Sequence, residues 1–284
     1  MKILIMPKDY EQVETNLENI DGIIIGLNGL SINMPAYFEY DEMIKMHDLM
    51  KKNNKETFIS LNKNMFESDL DYLKEIMVKL DDTKINGIMY YDIAVVNIKK
   101  DLKLNRALVW NQEHLTTNYE TANFWYDFGA KYTYLSSEIT LREIEEIKES
   151  AKAKLMVNVF GYLPMFASRR HLVKNYLKTF NIEDESKINY ITKEDKTYPI
   201  IDNEHGTIAY SHVCLNAIEE VVNMDVDYIV LNSFNIKASA FKNIVFMFNI
   251  VSPDNVAEFN DEINELLETN KGFLNKETIY KVKK

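Results

Sequence analysis

Eight short apolar runs recur along the chain: KILIM (2–6), GIIIGL (22–27), TFISL (57–61), GIMYY (87–91), ALVW (107–110), YTYL (132–135), LMVNVF (155–160) and YIVL (228–231). Most of them show no polar–apolar alternation. A strand that is apolar on both sides must be covered on both faces, as in a parallel sheet wrapped by helices. Eight such strands predict an α/β fold, a TIM-like (β/α)8 barrel, with distortion or an incomplete ring left open. The 284 residues suit a single domain, 1–284, because barrels of this kind reach about 250 residues without splitting. With 46% hydrophobic and 12% aromatic residues there is enough apolar surface to fill it.

Helix signals lie between the runs. Leu70, Leu73, Met77 and Leu80 in FESDLDYLKEIMVKL share one face at steps of three and four. Thr117 and Glu120 have capping-box spacing, as do Thr140 and Glu143, and Gly129 suits the left-handed residue that ends a helix. Val256, Phe259, Ile263 and Leu266 mark another amphipathic helix after Pro253. The order is strand then helix throughout, except between the seventh and eighth runs. There an insertion of about 161–226 is too long for a simple crossover. It is predicted to hold a basic helix and then a hairpin, because Asn-Glu-His-Gly sits between apolar flanks in YPIIDNEHGTIAYS (198–211). The tail, about 271–284, is read as a final strand or arm.

Charge and cysteine content exclude several classes of function. A net charge of −11 repels polyanions on average, so any contact with nucleic acid needs a local basic patch. One cysteine, Cys214, leaves no intrachain disulfide and no metal site built on several thiolates. No run approaches the ~20 apolar residues that span a bilayer, and the opening MKILIMPKDYEQ lacks a signal-peptide core. The expectation is a cytoplasmic protein with no membrane partner.

Polar residues follow the runs: Asn28, Asn62, Asp92, Asn111 and Gln112, Ser136 to Glu138, and Asn232. In a barrel these strand ends form one rim, where sites are built. Taken singly, each also serves as an ordinary polar exit from a core strand. Glu138, Asp92 and Gln112 are the catalytic candidates, and a carboxylate pair Glu138–Asp92 requires the fold to bring them together. The histidines His47, His114, His171, His205 and His212 lack zinc-protease spacing, and neither a nucleophile elbow nor a Gly-rich phosphate loop is present. Cys214 reads as a packing residue on the apolar face of a helix. Arg169, Arg170, His171, Lys174 and Lys178 form the best anion-recognition candidate, with Ser168 as the cap of that helix; a dicarboxylate or an RNA backbone suits two guanidinium groups, and a solvated basic face is the plainer alternative.

The segments GLNGLSIN, FISLNKNMF, LVWNQEHLTTNYETANFWYDFGAKYTYLSSEITLREI and VFGYLPMFASRRHL, in this order, resemble the collagenase-like U32 peptidase family. The tail KGFLNKETIYKVKK is similar to that of short bacterial members. The resemblance runs from about residue 20 onward and is most specific across 107–172. It implies a barrel, and either peptidase activity or a part in hydroxylating tRNA, ribosomal RNA or quinone precursors, with prephenate as a co-substrate in some systems. Members of the second kind hold an iron–sulfur cluster on four cysteines, beginning His-Gly-x-x-Cys and Ser-x-x-Cys after the seventh strand. Here Phe160, Gly161, Pro164, Ser168 and His171 occupy those places, so the resemblance implies that this chain holds no cluster. The shared rim is Asn62, Gln112, Glu138 and the turn Ser168, Arg169 and Arg170, and the hairpin with His205 also resembles a family segment; with Asn28 these are the substrate-binding candidates. Three expectations follow: an accessory or substrate-binding subunit of tRNA uridine 5-hydroxylation, paired with a cysteine-bearing U32 paralogue and contacting tRNA; a peptidase; or a non-catalytic barrel that binds a small anion.

Overall fold

The computed structural model describes residues 1–112 and 116–276. His114 and the last part of the predicted arm, 277–284, lie outside the described residues. All eight runs are strands: β1 Lys2–Met6, β2 Gly22–Leu27, β3 Glu56–Leu61, β4 Gly87–Tyr90, β5 Leu108–Asn111, β6 Ala130–Tyr134, β7 Lys154–Gly161 and β8 Tyr228–Asn232. Each pairs with the next in parallel, and β8 pairs with both β7 and β1, so the ring is closed.

Closure explains the continuous apolar runs. Leu4, Ile24, Phe58, Met89, Val109, Met156, Tyr228 and Val230 pack together inside the barrel. Their neighbours Ile3, Ile5, Ile23, Ile25, Ile59, Ile88, Leu108, Leu155, Val157 and Ile229 pack outward in the layer shared with the helices. Successive side chains of a strand point to opposite faces, and here both faces are dry. The helix Leu70–Thr83 buries Leu73, Ile76, Met77 and Leu80 as its spacing requires. The helix Leu141–Ser150 has the Thr140–Glu143 capping box, and Gly129 adopts φ +99. The helix Tyr119–Asp127 is capped by Asn118, whose side chain accepts from Thr121 N, rather than by Thr117. Asn118 stands three residues from that donor, the geometry an N-cap oxygen needs.

The insertion folds as a four-stranded antiparallel sheet with the helix Leu172–Phe180 on it, and the short helix Ile218–Val221 leads back to the barrel. The predicted hairpin is present as Lys196–Asn203 and Gly206–Tyr210, flanked by Asn189–Lys193 on one side and Pro164–Ser168 on the other. Ser168 does not cap the helix. It ends a strand, its Oγ accepts from Arg170 N at 3.2 Å, and the helix begins after His171. The cap comes from the hairpin: Leu172 N donates to Thr207 Oγ1 at 2.8 Å and Lys174 N to Asp202 Oδ2 at 3.1 Å. These donors are left open by any helix start, and here the sheet answers them. Arg169 and Arg170 therefore precede the helix, while Lys174 and Lys178 lie on it.

Cys214 is likewise in a strand, Cys214–Asn216, and not on a helix. β7 runs past the barrel, and its last residues need a backbone partner; Leu215 pairs with Gly161 and Asn216 with Phe160. The strand Thr269–Asn270 adds to the other side of Cys214–Asn216. Beyond it, Leu274 is buried and its carbonyl accepts from Leu141 N, which ties the start of the arm to the barrel. No described helix is long and apolar enough to cross a membrane.

Candidate functional site

Strand phase decides what faces the barrel axis at its carboxyl end. Val109, Met156 and Val230 point inward, so Asn111, Asn158 and Asn232, each two residues on, point inward as well. They form the floor of a cavity of about 350 Å³ at the mouth of the barrel. Asn33 and Asn62 reach it from the loops after β2 and β3, and Ser137 and Glu138 from the loop after β6. Tyr162, Tyr198 and His212 of the insertion, with Phe273 and Lys276 of the arm, close it from above.

The five asparagines are all at least nine-tenths buried. Asn62 is committed to structure: Oδ1 accepts from Ile32 N at 2.9 Å and Nδ2 donates to Ile32 O at 3.0 Å. Asn232 Oδ1 accepts from Phe234 N at 2.8 Å and turns the chain after β8. Asn111 and Asn158 differ. Asn111 Nδ2 donates to the Met89 sulfur at 3.1 Å, and among the described residues the buried Oδ1 atoms of Asn111 and Asn158 have no hydrogen-bond partner. Both residues line the cavity, so its floor is built of carboxamides rather than of the apolar side chains that fill the barrel below.

Of the residues singled out from sequence, Asn62 and Glu138 line the cavity, as do Asn111 and Asn232. Asn28 donates to Glu39 Oε1 at 2.8 Å, on the outer side of the rim. Asp92 accepts from Ala94 N and Met65 N, both at 2.9 Å; it caps a helix and anchors the preceding loop, and it does not share the cavity with Glu138. Gln112 is half-buried at the rim outside the cavity. Arg169 lies 4.3 Å over the ring of Phe66, which follows β3, so the insertion folds over the mouth of the barrel, but neither Arg169 nor the exposed Arg170 lines the cavity. His205 stands edge-on to Tyr37. Its Nε2 is 3.1 Å from Glu204 Oε1 without hydrogen-bond alignment. Burial, helped by Lys63, lowers its pKa and favours the neutral ring. Asn158, Tyr162 and His212 were not read as site residues from sequence. An asparagine inside the apolar run LMVNVF, in phase with inward Met156, is the signal that finds Asn158.

The positions at which the family motif has thiolates carry other chemistry. Pro164 lies on a strand, and His171 Nδ1 is held 2.6 Å from Asp202 Oδ1. The Cys214 thiol, buried beside Tyr162, is pushed up to about 12, which keeps it protonated and a poor ligand or nucleophile. These donors do not fit a four-cysteine cluster. Among the described residues, no group of three or more His, Cys, Asp and Glu side chains is placed to hold a metal ion.

Comparison with known proteins agrees with this architecture. The chain is 26% identical over 215 residues to the tRNA hydroxylation protein P2 of Bacillus subtilis, covering 72% of this chain and 70% of that protein. It is 20% identical over 158 residues to the tRNA hydroxylation protein P1 of the same organism, 55% of this chain and 37% of the relative. The solved structure of the U32 peptidase Mk0906 superposes with a TM-score of 0.53 at 13% identity, covering 84% of this chain and 94% of that one, a likeness of fold. The profile of Peptidase family U32 matches residues 8–276, so the chain belongs to that family.

Proposed function

We propose that this chain is a substrate-binding subunit in tRNA uridine 5-hydroxylation, that it acts with a cysteine-bearing U32 paralogue, and that its asparagine-floored cavity receives the reacting base. The observation that carries the reading is the carboxamide floor, Asn111, Asn158 and Asn232, of a cavity large enough for a nucleobase. A pyrimidine edge offers an N–H donor flanked by carbonyl acceptors, and a carboxamide carries both an acceptor and a donor. The similarity to the B. subtilis proteins P1 and P2 supports both the RNA substrate and the pairing with a paralogue. Prephenate enters as a co-substrate of the paired system; Arg169 and Arg170 lie outside the cavity and do not clamp a dicarboxylate within it. Redox chemistry belongs to the paralogue, because the only thiol of this chain is buried and protonated.

Peptide hydrolysis needs an activated nucleophile or a metal-bound water. Glu138 and His212 both line the cavity and are the residues on which a peptidase reading rests. One experiment separates the two. In a strain lacking the gene, complementation with the Asn111→Ala/Asn158→Ala chain leaves tRNA without 5-hydroxyuridine by nucleoside mass spectrometry, although the protein folds and is as stable as the parent. Normal levels of the modified nucleoside in that strain would reject the proposal, and gelatin cleavage abolished by Glu138→Gln would replace it with the peptidase.

A further inference from the structure

Beside the cavity, and sharing Met34 with it, a second and more open cleft of about 690 Å³ lies between the barrel rim and the insertion. Three lysines reach it from three separate segments: Lys8 after β1, Lys187 in the insertion and Lys237 after β8. The chain has 44 acidic residues against 33 basic ones, yet none of these three lysines has an ion-pair partner among the described residues. The acid in the cleft is Asp202, and its oxygens are engaged elsewhere, Oδ1 with His171 Nδ1 at 2.6 Å and Oδ2 with Lys174 N at 3.1 Å. The floor is apolar and aromatic, with Tyr37, Ile201, Phe234 and Ile236. The Tyr37 hydroxyl accepts from Asn203 Nδ2 at 3.4 Å, which joins the hairpin tip to the rim. Lys237 is also the N-cap residue of the helix Ala238–Ile250, whose positive end adds to the field of the lysines.

Three cations around one cleft, with no carboxylate there left to pair with them, give it a local positive field on an otherwise acidic chain. That field favours an anion. Phosphate suits the site because lysine ammonium groups bind it as point charges. Taking the base-binding reading of the cavity as its premise, we propose that this cleft holds phosphodiester groups of the same RNA strand, so that backbone and base are gripped on adjoining surfaces. The same phosphate chemistry would also serve a free phosphorylated ligand, and the test distinguishes the two sources.

Binding of a labelled RNA hairpin with a uridine-rich loop is measured by fluorescence anisotropy between about 50 and 200 mM salt. The full-length parent chain, the Lys8→Gln/Lys187→Gln/Lys237→Gln chain and the Asn158→Ala chain are compared, with inorganic pyrophosphate titrated in parallel. In the triple variant the slope of log affinity against log salt falls by about 2, three single-strand phosphate contacts at roughly 0.7 each. The Asn158→Ala chain keeps the parental slope. RNA binding with the parental slope in the triple variant overturns the phosphodiester cleft and leaves the cavity reading intact. Pyrophosphate binding lost in the triple variant, with no RNA binding by the parent, overturns the RNA source and the base-binding premise together. A parent that binds neither RNA nor pyrophosphate overturns the phosphate site itself.

Discussion

The centre of the barrel and the helix of the insertion treat their aromatic side chains in opposite ways. Phe58 is fully buried at the centre of the barrel, edge-on to Tyr132 and Tyr228. The insertion helix Leu172–Phe180 has no buried residue, and its Tyr176 and Phe180 are 57% and 61% exposed. The barrel strands run parallel and are covered twice; the insertion strands are antiparallel, and Tyr190 and Ile191 are exposed. The comparison teaches that stability and recognition are housed apart. Apolar contact inside the barrel holds the chain folded, whereas the insertion closes the cavity and shapes the lysine cleft while leaving much of its own surface free.

Three substitutions break or sharpen this contrast. The largest effect is expected in the barrel: Phe58→Ala lowers the free energy of unfolding by about 3–5 kcal/mol in urea titration, because the surrounding strands cannot collapse into the space. A loss below ~1 kcal/mol would mean the barrel interior is far more plastic than its packing implies. Next comes Gly206→Ala in the hairpin. Gly206 adopts φ +112, and a methyl group there would run into the Ser168 carbonyl oxygen and lie 2.8 Å from Arg169 Cα. A cost of about 1–3 kcal/mol is expected, seen by hydrogen exchange in 164–168 and 196–210 while barrel amides stay protected. Equal loss of protection in β1 and β8 would show instead that the two regions unfold as one unit. The smallest effect belongs to Tyr176→Ser, where stability should change by less than about 0.5 kcal/mol, since little apolar contact is lost. A large loss measured by the same titration would place this helix in the folding core after all.

The eight strands and their parallel order were legible in the chain because an apolar run without alternation has few other homes than a doubly covered strand, whereas closure of the ring shows only in the pairing of β8 with both β7 and β1. Local caps were legible where the capping oxygen is close in sequence, as in Thr140 and Glu143. Ser168, Cys214 and Asn158 mark the limit. The helix after Arg170 is capped by Thr207 and Asp202, more than 25 residues away, so Ser168 misleads a local reading. Cys214 became a strand because β7 overran the barrel and required a partner.

The amino-acid sequence by itself determined the family, the barrel and the single thiol. The tertiary structure alone decided that Asn111 and Asn158 meet over one cavity, that Arg169 and Arg170 stay outside it, and that Lys8, Lys187 and Lys237 converge beside it. The reason is physical. Burial patterning is written in local periodicity, but which polar atoms are left without a partner depends on contacts between segments far apart in the chain.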